Sequence, residues 1–131
     1  MKIVLDTNVL LSGLITTTGV SQYVLSRALR RHQVILSEYI MDELKRNLIR
    51  KFNVSEKRVS KVIHFLRQRS KILRVPNLSK INFSDKSDGP ILSLVETAMP
   101  HYFITGDKQL QALKKLGTTL ILNPREALEV L

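Results

Sequence analysis

The chain contains no cysteine and no tryptophan, and its only aromatic residues are three tyrosines and four phenylalanines. The absence of cysteine excludes disulfide frameworks, thiolate zinc sites and cysteine nucleophiles. The shortage of aromatic rings argues against the base-stacking platforms of single-strand-binding proteins, so we predict that Tyr39 and Phe52 are core residues. The phosphate-binding motifs GxxxxGK[ST] and GxGxxG are also missing, which leaves nucleotide binding without support.

The sequence has no long apolar run either. The apolar residues at 3–5 are followed at once by Asp6, whereas a signal peptide needs a longer apolar region and a membrane helix needs about 20 apolar residues. With 44% apolar residues the chain can still bury a core, and its length suits one domain. We therefore expect a single cytoplasmic domain over residues 1–131, with no membrane segment.

Positive charge is concentrated in one part of the chain. The formal net charge is +10, and residues 27–74 contain fourteen basic and four acidic residues, so this stretch carries the whole excess. Such a segment suits a polyanion, and nucleic acid is the polyanion that a cytoplasmic protein meets most often. The alternative is a basic, solvated surface that only aids solubility. The best candidates for phosphate contact are Lys45, Arg46, Arg50, Lys51, Lys57, Arg58 and Lys61.

Hydrophobic patterning predicts an α/β fold. Short apolar runs predict strands at 2–5, 33–36, 72–75, 102–105 and 118–122. Amphipathic or capped segments predict helices at 9–15, from 20, after Ser37, after Ser55, at 89–100, at 107–116 and from 124. Strands that alternate with helices indicate a mostly parallel sheet covered on both faces. Two successive helices within 37–70 form an insertion that carries most of the basic charge.

Four acidic residues occupy positions where such a fold places its chemistry. Asp6 closes the first strand, Asp107 follows the fourth, Asp88 begins the helix before that strand, and Glu43 lies near the apolar face of the insertion helix. Ligands of open parallel sheets bind outside the carboxyl ends of the strands. Carboxylates gathered there repel each other unless a cation is present, and an oxygen-rich ligand set suits Mg²⁺ or Mn²⁺.

Each acid also has a purely structural interpretation. Asp6, Asp88 and Asp107 could cap helices, and Glu43 could form an ion pair with a basic side chain on the helix surface. Asp42 is the alternative to Glu43, although its spacing from Arg46 suits an exposed ion pair. The three histidines have no metal-ligand spacing and are interpreted as surface or packing residues: His32, His64 and His101.

The sequence resembles the PIN domain (PilT N-terminus) family, in particular the small prokaryotic type of toxin–antitoxin pairs. The resemblance extends over nearly the whole chain. It rests on IVLDTNVLLSGL, SEYIMDELKRNL, SDKSDGPILSLVETA, HYFITGDKQLQAL and LILNPREALEVL.

This resemblance implies an α/β/α sandwich and a metal-dependent endoribonuclease, the toxin of a toxin–antitoxin pair. It implies that Asp6, Glu43, Asp88 and Asp107 bind Mg²⁺ or Mn²⁺ and activate water against an RNA phosphodiester. The polar positions that support the acids would be Asn8 and Thr105. It also implies an antitoxin partner and a homodimer.

One departure from the family pattern supports a second hypothesis. The segment of the third acid often carries two adjacent acids, where this chain has Asp88-Gly89, with Asp85 three residues earlier. The protein could therefore be an RNA-binding module with weak or lost turnover. A phospho-acceptor receiver-like domain is a third hypothesis. It is disfavoured because only one acid closes the first strand and Pro76 follows the third.

Overall fold

The computed structural model describes residues 1–75 and 89–131. The predictions for Asp85, Asp88 and the polar stretch 77–87 therefore lie outside the described residues. Within the described ranges the chain forms six strands and seven helices. In chain order these are β1 (Lys2–Leu5), α1 (Thr7–Ile15), α2 (Val20–Arg31), β2 (Gln33–Ser37), α3 (Glu38–Arg50), α4 (Glu56–Arg69), β3 (Ser70–Leu73), α5 (Gly89–Ala98), β4 (Tyr102–Ile104), α6 (Lys108–Ala112), β5 (Lys115–Leu116), β6 (Thr119–Leu122) and α7 (Pro124–Val130).

The strands form one sheet in the order β3-β2-β1-β4-β6-β5. All neighbouring strands are parallel except the edge pair β5 and β6, which is antiparallel. In β1, Ile3, Val4 and Leu5 are all fully buried. Successive side chains of a strand point to opposite faces, so both faces of the sheet are covered by helices. The predicted α/β sandwich with a mostly parallel sheet is confirmed.

Polar side chains cap several helices at the positions that the sequence indicates. The Ser37 hydroxyl accepts from the Ile40 N–H at the start of α3, and the Ser55 hydroxyl accepts from the Arg58 N–H at the start of α4. Both caps were predicted. Serine, asparagine and aspartate stabilise helix starts because they satisfy backbone N–H groups that have no partner inside the helix. These caps fix where α3 and α4 begin.

The two insertion helices pack against each other and are joined by an ion pair. Arg67 of α4 donates from both guanidinium NH₂ groups to the two carboxylate oxygens of Glu38 on α3, each at 2.8 Å. This arginine holds the pKa of Glu38 below its usual value, mainly through the hydrogen bonds. The pair is partly exposed, so its contribution to stability is roughly 0.2–1 kcal/mol.

Three sequence predictions are corrected. The helix predicted for 107–116 ends at Ala112, and Lys115–Leu116 forms the short strand β5 beside β6. The backbone reverses at Lys114, whose φ of 60° ends the helical path. The strand predicted at 72–75 lies at Ser70–Leu73, because α4 leads directly into it. Phe52 is not a core residue, since 46% of it is exposed.

The described residues include no single helix that is long and apolar enough to cross a membrane. The pair α1 and α2 meets that test only when taken together, and these helices meet at an angle of 104°.

Candidate active site

Two neighbouring strands bring polar groups together at the carboxyl edge of the sheet. Leu5 of β1 pairs with Ile104 of β4, so the next residues, Asp6 and Thr105, emerge side by side. The Asp6 N–H donates to the carbonyl of Ile104 at 2.9 Å, which continues the pairing by one residue. Asp107 lies two residues beyond Thr105. Parallel pairing therefore places residues that are about a hundred positions apart in sequence at one edge.

Hydrogen bonds fix the Asp6 carboxylate from both sides. Its Oδ1 accepts from the Thr7 N–H at 2.8 Å, and its Oδ2 accepts from the Thr105 hydroxyl at 2.6 Å. The Thr105 hydroxyl in turn accepts from the Asp107 N–H at 3.0 Å. One threonine therefore links the backbone of Asp107 to the carboxylate of Asp6.

The Asp107 side chain also caps α6, as the structural interpretation predicted. Its Oδ1 accepts from the N–H groups of Gln109 and Leu110, at 2.8 and 3.2 Å. The Gln111 side chain donates to the Thr105 carbonyl at 2.8 Å and ties α6 to the end of β4. Within the described chain, the hydrogen bonds of this carboxylate all go to Oδ1. Oδ2 is therefore the oxygen of Asp107 that can face a ligand.

Glu43 reaches the site from α3, whereas its neighbour Asp42 does not. Glu43 is half-buried, and its carboxylate accepts from the Tyr39 hydroxyl at 3.2 Å, one turn earlier in the helix. Asp42 is exposed and lines a surface cavity with Lys45 and Arg46. This placement supports the choice of Glu43 over Asp42.

The electrostatic environment of Asp6 is that of a buried carboxylate among other carboxylates. Asp6 is only 5% exposed. Burial raises its pKa above the usual value of 3.8, the hydrogen bonds from Thr105 and Thr7 lower it, and the negative charges of Glu43 and Asp107 raise it further. Both carboxylates thus act on Asp6 from nearby. The site favours either protonation of Asp6 or a bound cation.

The donor set fits a hard divalent cation. All the candidate donors are carboxylate oxygens, and each oxygen of Asp6 keeps a lone pair after its hydrogen bond. Among residues 1–75 and 89–131, no three His, Asp or Glu side chains are grouped closely enough to share a metal ion. Mg²⁺ is commonly bound by one or two carboxylates together with water and substrate phosphate oxygens, so the described residues suffice for that mode.

The structure adds Tyr39, Thr7 and Gln111 to the surroundings of the acids, and sequence reasoning missed all three. Tyr39 could have been found from its spacing of four residues before Glu43, which places both on one side of a helix. The buried Thr7 hydroxyl has no hydrogen-bond partner among the described residues. The predicted supporting residue Asn8 is exposed on α1. It lines a cavity with Lys51 and Phe52.

All seven candidate phosphate contacts are exposed, and six of them, all except Lys57, lie on two sides of the insertion. One group of three lines a cavity along α3 together with Asp42: Lys45, Arg46 and Arg50. Another group lies toward α1, where Arg58 and Lys61 line one cavity and Lys51 lines the neighbouring one. The second group borders the helix that begins at Asp6. None of the seven forms an ion pair with another described residue, unlike Arg67, which pairs with Glu38.

Two of the histidines make local contacts outside the site. His32 Nδ1 lies 3.3 Å from the amino terminus, and His101 Nδ1 accepts from the Lys2 N–H at 3.1 Å. His64 is exposed on α4. These contacts agree with their interpretation as surface and packing residues.

Solved structures with the same fold include toxins and an endonuclease. The chain is 12% identical to a chain of VapBC2 from Rickettsia felis, crystallised with a DNA fragment from its promoter, with a TM-score of 0.65 over 94% of this chain and 98% of that one. It is also 12% identical to VapC20 from Mycobacterium tuberculosis, a toxin that cleaves the sarcin–ricin loop, with a TM-score of 0.62 over 87% and 96%. The PIN domain endonuclease Utp24 is 19% identical, with a TM-score of 0.52 over 93% and 84%.

No protein of curated function matches the chain in sequence. A family model described as PIN domain matches residues 2–109, which include Asp6, Glu43 and Asp107. The remaining residues complete the same sheet, since β6 pairs with β4. The match covers most of the chain and agrees with the fold, so this protein belongs to the PIN domain family.

Proposed function

We propose that the protein is a metal-dependent endoribonuclease that hydrolyses RNA phosphodiester bonds. The observation that carries this proposal is the buried Asp6 carboxylate, on which the charges of Glu43 and Asp107 converge at the carboxyl edge of a PIN domain sheet. A cluster of negative charge within a chain of net charge +10 suits a cation that is itself bound to an anionic substrate.

The metal would be held by Asp6 together with water and substrate phosphate oxygens. Glu43 and Asp107, with Asp88 proposed from sequence, would complete the site directly or through ordered water. When bound, Mg²⁺ or Mn²⁺ lowers the pKa of water and shields the charge on phosphate oxygens. The protein orients the carboxylates that would bind the metal. The Thr7 N–H and the Thr105 hydroxyl fix both oxygens of Asp6, and the Tyr39 hydroxyl fixes Glu43. Such preorganisation lowers the reorganisation that the reaction requires.

The substrate would be positioned by cations outside the acidic site. Two adjoining cavities beside α1, together called the groove, are bordered by Lys51, Arg58 and Lys61. These cations would contact phosphates, which fixes the register of the RNA strand without reading its sequence. We further propose that the protein acts as the toxin of a toxin–antitoxin pair, with a cognate antitoxin as partner and a homodimer as its assembly. The similarity of its fold to a VapBC complex and to a VapC toxin supports this role.

The test compares Glu43→Gln with Asp42→Asn in a cleavage assay. Both substitutions remove one negative charge from adjacent positions of α3, but only Glu43 acts on Asp6. With labelled single-stranded RNA and Mn²⁺ or Mg²⁺, we expect Glu43→Gln to reduce the cleavage rate by at least about a hundredfold. Asp42→Asn should retain the rate of the wild type. EDTA should abolish cleavage by the wild type.

Calorimetric titration of Mn²⁺ separates metal binding from turnover. Wild type should bind Mn²⁺ at neutral pH and low salt, and Asp6→Asn should not. Equal cleavage by wild type and Glu43→Gln, or cleavage that continues in EDTA, would contradict the proposal. RNA binding without cleavage under any divalent ion would instead support the alternative from the sequence, an RNA-binding module without turnover.

A further inference from the structure

Phe52 is an exposed aromatic residue at an unexpected place. The periodicity of α3 continues the apolar face from Leu44 and Leu48 to position 52, yet the helix ends at Arg50. Phe52 therefore lies in the turn that follows, and 46% of it is exposed. An isolated exposed apolar residue is ordinary. The surroundings of Phe52 distinguish it.

Phe52 lies between two adjoining cavities. A cavity of about 330 Å³ opens toward α1, where Asn8, Ser12 and Thr16 present amide and hydroxyl groups and Lys51 supplies a cation. On its other side, a more apolar cavity of about 500 Å³ is bordered by Arg58 and Lys61. Volumes of this size suit small-ligand groups such as single nucleotides. The phenylalanine ring therefore has an apolar wall, hydrogen-bonding groups and cations around it.

The smaller cavity lies along α1, the helix that begins at the candidate active site. Asn8, Ser12 and Ile15 recur at helical spacing along one exposed side of that helix, and α1 is capped by Asp6. From Asn8 to Thr16 the helix advances by about 12 Å. A strand whose phosphate lies at Asp6 could therefore extend along α1 to Phe52.

We propose that Phe52 stacks on a nucleobase of single-stranded RNA, at a position away from the phosphate that is cleaved. This inference rests on the proposed ribonuclease function and names the part of the substrate that the groove recognises. Lys51, Arg58 and Lys61 neutralise the neighbouring phosphates, and Asn8 and Ser12 face the edge of the base. Stacking on one aromatic side chain tolerates any base, so it adds affinity without strict sequence preference.

The cations around the groove favour RNA over a protein segment as its occupant. An apolar groove by itself would suit an amphipathic helix. Here an exposed ring, three basic side chains and a row of amide and hydroxyl groups border two adjoining cavities that share Ile15 and Phe52. This combination matches the alternating base, sugar and phosphate of a single strand.

The test measures how tightly the protein binds two oligonucleotides of equal length and charge, one with bases and one without. The probes are a fluorescein-labelled, 12-nucleotide single-stranded RNA of mixed sequence and an abasic oligonucleotide of equal length and charge, both in EDTA. For the base-bearing RNA we expect Phe52→Leu to weaken binding by about 5- to 100-fold, since one stacked base contributes on that scale. Phe52→Tyr should bind as the wild type does. Affinity for the abasic strand should be the same in all three proteins.

Phe65→Leu is the matched control. Phe65 is similarly exposed, at 41%, but lies on α4 beneath the Arg69 guanidinium and does not border the groove, so this variant should bind RNA like the wild type. A second measurement uses the absence of tryptophan from the chain. In Phe52→Trp the single indole should be quenched by the base-bearing RNA and much less by the abasic strand.

Two results would overturn the stacking proposal. If wild type and Phe52→Leu bind the base-bearing RNA equally, the ring does not contact bases and the groove is left to a protein segment. If Phe52→Leu weakens the abasic strand by the same factor, the effect is structural. In either case cleavage by the wild type would still support the ribonuclease function. If the wild type neither binds nor cleaves RNA, the proposed function fails together with the stacking.

Discussion

At the scale of single residues, Asp6 is held by stabilising hydrogen bonds, but its charge is buried near other carboxylates. It caps α1 and joins β1 to β4 through Thr105, which favours a well-ordered carboxylate. Burial and two neighbouring carboxylates nevertheless raise its pKa, so the ionised form destabilises the metal-free protein. A residue that lowers the stability of the folded protein is often kept because the function requires it.

Asp6→Asn is therefore expected to stabilise the metal-free protein at neutral pH. A raised pKa in the folded state favours folding at pH values below the usual aspartate pKa and is unfavourable once the pH exceeds the raised value. The uncharged asparagine avoids this loss and can still cap α1. In EDTA at pH 7.5, the melting temperature should rise by a few degrees. The gain should shrink as the pH is lowered toward 4.

The control for this prediction is Asp42→Asn, which changes the same charge at an exposed position. Its melting temperature should match that of the wild type within about a degree. A lower melting temperature for Asp6→Asn than for the wild type at pH 7.5 would mean that its charged hydrogen bonds outweigh its burial.

At the scale of elements, the crossing of α1 and α2 depends on Gly13. A Cβ at this position would lie 2.9 Å from the Ser21 carbonyl oxygen and 3.0 Å from Leu25 Cβ. Since the first of these atoms belongs to the backbone, the helices would have to separate. The close approach brings the helix that begins at Asp6 against its neighbour. It thereby fixes the direction in which the exposed face of α1 points.

Gly13→Ala is expected to lower the free energy of unfolding by about 1–3 kcal/mol, because overpacking outweighs the gain in helix propensity of up to about 1 kcal/mol. Gly106→Ala is the control, since a Cβ there has no neighbour within 4 Å among the described residues, and it should change stability by less than about 0.5 kcal/mol. Urea denaturation measures both. A Gly13→Ala variant as stable as the wild type would show that α1 and α2 can separate at little cost.

At the scale of the whole molecule, charge is divided between a small acidic site and a broad basic insertion. The acids gather at one edge of the sheet, while all of the net charge of +10 lies between residues 27 and 74. Such a distribution attracts a polyanion over a long range and leaves the site free for a cation.

This division predicts the salt dependence of RNA binding. The logarithm of the RNA-binding constant falls linearly with the logarithm of the salt concentration. In EDTA, changing Lys51, Arg58 and Lys61 to glutamine should make this slope shallower by about 2, since each phosphate contact on a single strand contributes roughly 0.7. The control removes the same charge from exposed residues elsewhere: Lys2, Lys115 and Arg125. Their replacement should leave the slope nearly unchanged. Equal effects of the two triple variants would indicate a diffuse charge effect with no specific phosphate contacts.

Local sequence patterns were sufficient for much of the fold. Apolar runs located β1, β2, β4 and β6, and Ser37 and Ser55 located two helix starts, because strand burial and capping depend on residues close together in the chain. The patterns failed where neighbours distant in sequence decide the outcome. Residues 115–116 continue a helical pattern but pair with β6 instead. Phe52 continues an apolar face but follows the last turn of α3.

The candidate site shows the same division between sequence and tertiary structure. The sequence by itself determined which residues could supply carboxylates, the clustering of basic charge and the resemblance to the PIN domain family. Only the tertiary structure decided that Glu43 rather than Asp42 acts on Asp6, that Thr105 joins Asp6 to Asp107, and that the basic side chains fall on two sides of the insertion. Parallel pairing of β1 with β4 is the physical reason, since it joins segments about a hundred residues apart that no local pattern can relate.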